Sequence, residues 1–498
     1  MRKRHAIPLL LALAGCAPAA RSAPAPAPAA APLRAALDSI FDDTVFASAF
    51  WGVEVRSLDS GETLYRRNAE RLFIPASNMK IVTGAAALEA LGPDYRYRTQ
   101  VGAEGTVEGG ELRGNLVVRG SGDPTIAAHF TGDPRAVFRA WADSLRARGI
   151  TRVTGSIVGD DDVFDDTPLG RGWAWDDLDA DYSAEIGGLE FNEGFVTVRV
   201  APGLRPGDPA RVALDPPTGY VPVVNHTTTV APGTRADVSA TRAPFQNQVV
   251  VSGPVPADTA GVETTVSVRD NTLYFTSVLR ETLRDAGIRV DGPAVDEDAR
   301  PDSVRRRAVT PLFTHTSAPL REILPGFLKP SQNQIGEILL KTLGHELRGQ
   351  GSAAAGRAVV DSLLRTWGLN PRQLAQVDGS GLSRYDMVAP DLLIGILTHM
   401  TRSPNWSVWY AALPIAGVDG TLASRMKGTP LQGNVHAKTG TLSGVRSLSG
   451  YLTTAGGERL VFSAIANHHT VASRDVDRVA EAALRRIYEA RRVPAAAP

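Results

Sequence analysis

Cysteine is almost absent from this sequence, since Cys16 is the only one among 498 residues. That excludes an intrachain disulfide and any metal site built from cysteine ligands. Neither sign of charge is in excess, because 53 Lys and Arg residues balance 53 Asp and Glu residues. Nothing in that balance indicates nucleic acid or a basic membrane-binding surface as a partner. After the first residues, no apolar run is long enough to span a bilayer.

Several motifs of common enzyme classes are missing as well. The sequence has no His-Glu-x-x-His zinc motif, no Gly-x-Ser-x-Gly nucleophile elbow and no Gly-rich phosphate-binding loop. The acidic stretch at residues 159–185 lacks the twelve-residue pattern of a calcium loop, and a solvated surface explains most of its acids. We therefore expect no metal and no organic cofactor.

Residues 1–16 have the features of an export signal with a lipid attachment site. Residues 2–4 are basic and residues 6–14 apolar, a stretch too short to span a membrane. Leu-Ala-Gly-Cys at residues 13–16 resembles the bacterial lipoprotein box, in which the cysteine is lipidated and becomes the new N-terminus. Residues 17–32, almost all Ala and Pro, predict an extended tether. We expect an exported envelope or periplasmic protein anchored at Cys16, and the alternative is plain secretion with cleavage among the nearby alanines.

The stretch around Ser77 and Lys80 carries the first chemical signal. A loop leads there into an apolar helix that ends at Gly92-Pro93. Ser77 and Lys80 are three residues apart and share one helix face, so the amine is within reach of the hydroxyl proton. Burial of an apolar helix lowers a lysine pKa toward a value that suits a base. A Ser-x-x-Lys pair alone often occurs by chance. The alternative to a catalytic pair is a purely structural role, with the serine as a helix cap beside an ordinary lysine.

Two later motifs make it improbable that the Ser-x-x-Lys pair occurs by chance. Ser331-Gln332-Asn333 opens a second helix with apolar periodicity, and Lys438-Thr439-Gly440-Thr441 precedes an alternating run typical of a strand. Ser-x-x-Lys, Ser-Asp-Asn and Lys-Thr-Gly in this order are the signature of penicillin-binding proteins and related β-lactamases, with Gln332 here at the Asp position. The chain therefore resembles a penicillin-recognising serine D,D-peptidase.

The resemblance narrows to one family. About 250 positions separate Lys80 from Ser331, an insertion similar to that of the penicillin-binding protein 4 family, the D-Ala-D-Ala carboxypeptidase/endopeptidases of peptidase family S13. Five further stretches resemble that family, so the similarity covers nearly all of the mature chain. They are residues 114–124, 173–177, 378–383, 413–422 and 436–444.

The domain organisation follows from the resemblance and from short β-like runs, separated by Gly, Pro and Asp clusters, between about residues 98 and 304. We expect an α/β (α+β) fold: a serine β-lactamase/transpeptidase-like domain, in which helices cover an antiparallel sheet, with a large β-rich insertion. Residues 33–97 and 305–498 are assigned to the catalytic domain, and residues 98–304 to the insertion, as one region or two lobes. This agrees with a length that predicts about three domains.

The resemblance also implies roles for the motif residues. Ser77 would attack the carbonyl between two D-amino acids while Lys80 accepts its proton. Ser331 would relay that proton to the leaving amine within a Lys80–Ser331–Lys438 hydrogen-bond network. Asn333 would orient Lys80 and bind a substrate amide.

Substrate recognition is implied at two places. Lys438, Thr439, Gly440 and Thr441 would hold the terminal carboxylate and line the strand beside the substrate. In the resembled family an aspartate of the insertion reads the free amine of the stem-peptide diamino acid, and Asp160 is the best match. The implied partners are peptidoglycan stem peptides and β-lactams, with no nucleic acid and with membrane contact only through the lipid.

Two other functions are compatible with the same motifs. A β-lactamase shares all three but releases penicillin quickly, and no stretch matches the glutamate that class A enzymes use for this step. A non-catalytic peptidoglycan-binding protein on this fold is less consistent with the sequence, because every motif residue with a chemical role is present.

Overall fold

The structure is a computed structural model that describes residues 31–305 and 307–490. The export signal, the lipidation site at Cys16 and most of the predicted tether lie outside the described residues. The last two residues assigned to the tether, Ala31 and Pro32, belong to the first helix. Among the described residues, no helix is both long and apolar enough to cross a lipid bilayer.

The described residues form eleven α-helices. In chain order they are α1 (Ala31–Phe41), α2 (Met79–Leu91), α3 (Ala128–Thr131), α4 (Ala136–Arg146), α5 (Asn271–Asp285), α6 (Leu320–Leu328), α7 (Asn333–Arg348), α8 (Ala353–Thr366), α9 (Pro390–Met400), α10 (Trp406–Ala412) and α11 (Ser473–Glu489). Local signals set several ends. Gly92 ends α2 with positive φ, and Pro390 opens α9, where the N–H that proline lacks would have no helical partner.

The described residues also form twenty β-strands. They are β1 (Phe50–Ser57), β2 (Thr63–Arg67), β3 (Arg98–Glu108), β4 (Glu111–Arg119), β5 (Arg152–Val153), β6 (Ile157–Asp160), β7 (Phe195–Ala201), β8 (Arg211–Asp215), β9 (Val223–Val230), β10 (Ser239–Arg242), β11 (Val249–Pro256), β12 (Val262–Ser267), β13 (Arg289–Val290), β14 (Ala294–Asp296), β15 (Thr310–Thr316), β16 (Leu374–Ala375), β17 (Met387–Val388), β18 (His436–Leu442), β19 (Val445–Thr453) and β20 (Arg459–Asn467).

The central sheet has the order β18-β19-β20-β1-β2, and all its neighbouring strands are antiparallel. Side chains of β20 alternate between two cores, because successive residues of a strand face opposite sides. Val461 and Ile465 pack with α2, α7 and α9, whereas Phe462 and Ala466 pack with α1 and α11. The predicted antiparallel sheet covered by helices is confirmed.

Helix α2 is buried on every side. Each residue from Met79 to Leu88 is buried, as expected for a helix that is apolar all round. Gly84 permits this packing, since a Cβ there would lie 3.3 Å from both Phe327 and Trp409. The turn that precedes α2 is therefore attached to a fully buried, closely packed element of the core.

The inserted region has a core of its own. Its largest sheet follows the path β13-β5-β4-β3-β15, with β6 pairing to both β4 and β14, and two three-stranded sheets have the orders β10-β11-β9 and β12-β7-β8. Aromatic side chains of α4, α5 and the connecting loops fill the core. The ring centroid of Phe138 is 5.0 Å from that of Phe191 and 4.8 Å from that of Phe275.

One boundary differs from the expected one. Strand β15 follows residue 304, where the insertion was predicted to end, yet it pairs antiparallel with β3. The main sheet of the inserted region therefore extends to Thr316. Sequence patterns missed this because the pairing partner lies far earlier in the chain.

Candidate active site

The three sequence motifs meet at one cleft of about 630 Å³. Ser77 lies in a 3₁₀ turn, Ala76–Asn78, that continues into α2. Ser331 lies two residues before Asn333, the first residue of α7, and Lys438 is on β18. Cleft-lining residues from the motifs are Ser77, Ser331, Asn333, Thr439, Gly440 and Thr441.

Lys80 is completely buried beneath Ser77. Its Nζ donates to Ser77 Oγ at 2.9 Å, to Asn333 Oδ1 at 2.6 Å and to the Ser380 carbonyl at 2.8 Å. Burial lowers the pKa of Lys80 to about 7, although nearby carboxylates oppose the shift. An amine with such a pKa is available in its neutral form near neutral pH, as proton transfer from a serine requires.

Those carboxylates belong to Glu337, Asp378 and Asp386, all at most 5% exposed. Glu337 accepts the backbone N–H groups of Gly379 at 2.9 Å and Ser380 at 2.8 Å, so it fixes the carbonyl that Lys80 contacts. Burial and the neighbouring Asp378 raise the pKa of Glu337 to about 8. Burial also raises the pKa of Asp386 well above its ordinary value. Sequence reasoning singled out residues 378–383 only as a family-like stretch and assigned these acids no role.

Lys438 is the second buried lysine of the site. Its Nζ donates to Ser331 Oγ at 2.8 Å and to the Thr439 carbonyl at 2.9 Å. Burial lowers the pKa of Lys438 well below its ordinary value, and the positive charge of Lys80 acts in the same direction. Ser331 thus has a neighbour that can exchange a proton with it.

The hydrogen bonds correct one expectation. The family resemblance implied a continuous Lys80–Ser331–Lys438 hydrogen-bond network. In the structure the amine of Lys80 donates to Ser77, Asn333 and Ser380 instead. In the described part of the chain the pairs Ser77–Lys80 and Ser331–Lys438 are not joined by a direct hydrogen bond. The hydroxyl-bearing residues of both pairs, Ser77 and Ser331, line the same cleft.

Tight backbone packing joins the first motif to the third. Asn78 Nδ2 donates to the Lys438 carbonyl at 3.0 Å, and Ser447 Oγ donates to the Pro75 carbonyl at 2.6 Å. A Cβ at Gly440 would lie 2.7 Å from the Pro75 carbonyl oxygen and 3.0 Å from the Ser77 amide nitrogen. Only glycine lets β18 approach the nucleophile turn this closely.

Two threonines of β18 bring their side chains to the cleft. Thr439 Oγ1 donates to Thr421 Oγ1 at 2.7 Å, and Thr421 also lines the cleft. Thr441 Oγ1 accepts from Arg446, which in turn contacts Asp477 on α11. The strand therefore presents hydroxyl groups beside Ser77, a suitable arrangement for an anionic ligand group.

One wall of the cleft comes from the inserted region, through residues 165–193, here called the strap. It contacts α7 where Lys341 Nζ donates to Asp165 Oδ1 at 2.7 Å. It also contacts the loop after β16, where Trp173 Nε1 donates to Asp378 Oδ2 at 2.9 Å. Its cleft-lining residues are Gly172, Ala174, Asp176, Asp177 and Tyr182. Both regions of the molecule therefore build the cleft.

Asp160, the predicted reader of a substrate amine, is not among the cleft-lining residues. It ends β6, and its Oδ2 accepts from Nε of Arg119, its register partner on β4, at 2.9 Å. The structure therefore does not bring Asp160 together with the other predicted site residues, and its carboxylate forms a cross-strand ion pair with Arg119. The acids of the strap that line the cleft are Asp176 and Asp177.

A carboxylate group suited to metal binding lies in the inserted region. Ligand oxygens of Asp161, Asp296 and Asp298 lie within 4.8 Å of one another, and this is the one such group among residues 31–305 and 307–490. Asp298 is already in contact with Arg305, and none of the three lines the cleft. We assign no metal to it.

Comparison with known proteins decides the family. The model of the D-Ala-D-Ala carboxypeptidase 3 (S13) family matches residues 33–487. The chain belongs to the S13 peptidases. The family resemblance stated from the sequence is confirmed, and this S13 chain is an enzyme of the D-Ala-D-Ala carboxypeptidase class.

Individual relatives support the same assignment. The chain is 37% identical over 484 residues to the D-alanyl-D-alanine carboxypeptidase of Actinomadura sp. (strain R39), covering 93% of this chain and 86% of that protein. It is 27% identical over 425 residues to the D-alanyl-D-alanine carboxypeptidase DacB of Haemophilus influenzae, covering 84% of this chain and 85% of that protein. In fold it is similar to the crystal structure of penicillin binding protein 4 (dacB) from Haemophilus influenzae, with a TM-score of 0.76 at 24% identity, covering 91% of this chain and 99% of that one.

Proposed function

We propose that the chain cleaves the terminal D-Ala-D-Ala bond of peptidoglycan stem peptides through an acyl-enzyme on Ser77. The observation that carries this proposal is the 2.9 Å contact between Ser77 Oγ and Lys80 Nζ, with burial setting the pKa of the amine at about 7. Lys80 accepts the hydroxyl proton, and Ser77 Oγ attacks the peptide carbonyl. Asn333 and the Ser380 carbonyl hold the amine in place during this transfer.

The Ser331–Lys438 pair assists the second half of acylation, in which the amine leaves. Ser331, bonded to Lys438 at 2.8 Å, delivers a proton to the leaving amine of the terminal D-Ala, and Lys438, Thr439 and Thr441 hold its carboxylate. The backbone N–H groups of Ser77 and Thr441 form the oxyanion hole, where one donor is worth about 2.7–4 kcal/mol. Water then hydrolyses the ester: a proton of the water passes to the Ser331–Lys438 pair, which gave one to the leaving amine, and Lys80 returns its proton to Ser77 as the ester bond breaks.

Penicillin binding and endopeptidase activity extend the same chemistry. A related structure is described as penicillin binding protein 4 (dacB) from Haemophilus influenzae complexed with a novel β-lactam. We propose that β-lactams acylate Ser77 in this chain. Endopeptidase cleavage requires recognition of the diamino acid in a cross-link, and we assign its free amine to Asp176 or Asp177 in place of Asp160, since both line the cleft.

The decisive experiment compares wild type with Ser77→Ala in two assays. Wild type should form a long-lived adduct with fluorescent penicillin and release D-Ala from a peptide ending in D-Ala-D-Ala, while Ser77→Ala should do neither. Labelling of the alanine variant would overturn the nucleophile assignment. Rapid multiple turnover of benzylpenicillin without D-Ala release would establish the β-lactamase instead.

Substrate recognition by the strap is tested with matched peptides. Asp177→Asn and Asp176→Asn should each be compared on a stem peptide with a free side-chain amine and on its acetylated form. We expect at least one variant to lose the preference for the free amine, with the acetylated peptide unaffected. If both variants keep the preference for the peptide with a free amine, the assignment of that amine to Asp176 or Asp177 is refuted.

For location, we propose a lipid-anchored envelope protein. The support is the lipobox-like stretch ending in Cys16 and the Ala/Pro-rich residues that follow it. In detergent phase partitioning, wild type should enter the detergent phase and Cys16→Ser the aqueous phase. Equal partitioning would favour plain secretion.

A further inference from the structure

The start of α7 is held by the strap through three consecutive side chains. Gln332 Nε2 donates to Glu193 Oε2, Asn333 Nδ2 to the Tyr182 carbonyl and Gln334 Nε2 to the Asp181 carbonyl, each at 2.7 Å. The residues around the Ser331 motif are thus tied to the inserted region at every position from 332 to 334.

The orientation of the Gln332 side-chain amide, which donates the hydrogen bond to Glu193, is fixed by a second hydrogen bond. Gln332 caps α7, because its Oε1 accepts the backbone N–H of Gln334 at 2.7 Å. With the oxygen used in this way, the amide nitrogen of Gln332 faces Glu193. A carboxylate at Glu193 accepts that bond, and no second arrangement of the amide keeps both contacts.

Glu193 and Ser331, the residue next to Gln332, have unusual backbone conformations. Ser331 has φ 70° and Glu193 has φ 57°, values in the left-handed region that residues with a side chain rarely adopt. Such conformations persist where surrounding contacts over-determine them. Ser331 itself donates no bond to the strap, so the contact between Gln332 and Glu193 is the side-chain link nearest to it.

We propose that Glu193 is a positioning residue of the active site, which acts through Gln332 to hold Ser331 against Lys438. The inference rests on the proposed function, because it concerns the acylation step at Ser77. Among the described residues, the side chain of Glu193 makes its hydrogen bond to Gln332 and none to Ser331, Asn333 or Lys438. The charged groups that face it are His129 and Asp181. The inserted region therefore maintains the catalytic geometry in addition to forming a wall of the cleft.

The test exchanges the donor and the acceptor of this bond. Gln332→Glu keeps the helix cap but presents an oxygen to Glu193, so two carboxylates face each other. We expect the second-order rate of fluorescent-penicillin labelling to fall about 10- to 100-fold, as for a small misplacement of a catalytic group. Glu193→Gln alone should keep most of the rate, since an amide oxygen still accepts from Gln332.

The double variant Glu193→Gln/Gln332→Glu restores the bond with its direction reversed, and its labelling rate should return toward wild type. The ratio of the Gln332→Glu rate to the wild-type rate should also rise as pH falls, since a shared proton lets one carboxyl donate to the other. A loss of folded protein would instead lower the final amount of label and leave the rate of the folded fraction unchanged.

Two further variants separate the effect of the Glu193–Gln332 contact from a general disturbance of the strap. Asp165→Asn disturbs a different strap contact to α7, at Lys341, and should change labelling by less than about twofold. Glu193→Leu removes the acceptor and should label slowly, with its melting temperature checked against Asp165→Asn. The proposal fails if Glu193→Leu labels like wild type, or if the double variant is no faster than Gln332→Glu. Failure of the proposed function is distinct, because wild type itself would then remain unlabelled at Ser77.

Discussion

The ionisable side chains beneath the catalytic cleft and the apolar core of the inserted region are both buried, but they are chemically opposite. Beneath the cleft lie ionisable side chains that water hardly reaches, whereas the inserted core consists of apolar and aromatic side chains. Burying a charge is unfavourable unless other groups compensate, and burying an aromatic ring is favourable. The cleft therefore uses burial to change reactivity, and the inserted region uses it to gain stability.

Burial sets the pKa values of the ionisable groups beneath the cleft. Lys80 and Lys438 have lowered pKa values and Glu337 and Asp386 raised ones, with burial the leading cause for all four. Hydrogen bonds to backbone groups, such as those from Gly379 and Ser380 to Glu337, partly offset the cost. Substitutions in the two regions should consequently fail in different ways.

Removing the buried amine should have the largest effect on catalysis. We expect Lys80→Ala to reduce the rate of Ser77 acylation about 10²- to 10⁴-fold, the range for a lost general base. Stopped-flow or gel measurement of fluorescent-penicillin labelling gives the rate. The folded fraction, followed by circular dichroism, should stay high. Labelling within tenfold of wild type would remove Lys80 from the role of base.

A truncation in the inserted core should instead lower stability. Phe275 is fully buried, with its ring centroid 4.8 Å from that of Phe138. Phe275→Ala should cost about 3–5 kcal/mol of the unfolding free energy of this region, from lost burial and the cavity that remains. Urea unfolding monitored by fluorescence tests this, and the labelling rate of the folded protein should remain near wild type. An unchanged midpoint would contradict the assignment of Phe275 to the core.

The pH profile tests the effect of burial in the cleft. Lys80 accepts a proton only when neutral, so acylation should fall about tenfold per pH unit below its pKa and level off above it. With that pKa at about 7, the bend should appear near neutral pH rather than near the ordinary lysine value. Labelling rates from pH 5 to 9 at constant ionic strength provide the measurement. A profile flat over this range would exclude Lys80 as the titrating base.

Surface charge on the inserted region should matter least. Arg199 pairs with Asp215 at 2.7 Å and with Glu263 at 3.0 Å, and all three side chains are exposed. Arg199→Gln should lower stability by about 0.2–1 kcal/mol per pair, less at high salt. Differential scanning calorimetry at two salt concentrations tests this. A loss as large as that of Phe275→Ala would contradict the view that buried apolar contacts, rather than surface ion pairs, stabilise the inserted region.

Sequence patterns predicted the elements that local chemistry determines. A proline start and an apolar periodic run define helix α9, which forms at Pro390–Met400. The continuous apolar sequence of α2 favours a helix buried all round, and it is buried from Met79 to Leu88. The apolar stripe of α11 favours packing against a sheet, and Val476 and Ile487 lie in the core shared by α1, α11 and the central sheet.

Features that depend on distant pairing were not predictable in this way. Asp160 looked available for substrate, yet its partner Arg119 is fixed only by the parallel register of β4 and β6. The role of Glu337 could not be read from α7 alone, since it binds the backbone of Gly379 and Ser380 in another segment. Helix α6 was also missed, and its central Pro325 reads locally as a helix breaker.

The pairing of β1 with β20 has a consequence for biosynthesis. Synthesis proceeds from the N-terminus, and β1, at Phe50–Ser57, finds this neighbour only when Arg459–Asn467 has been made. By then residues 98–316 have long been complete, and they enclose a core of their own. The inserted region can thus fold first, as domains made early generally do. Closure of the central sheet, and with it assembly of Ser77 beside Lys438, is necessarily one of the last events, so a nascent chain released early would carry the nucleophile without the strand that faces it.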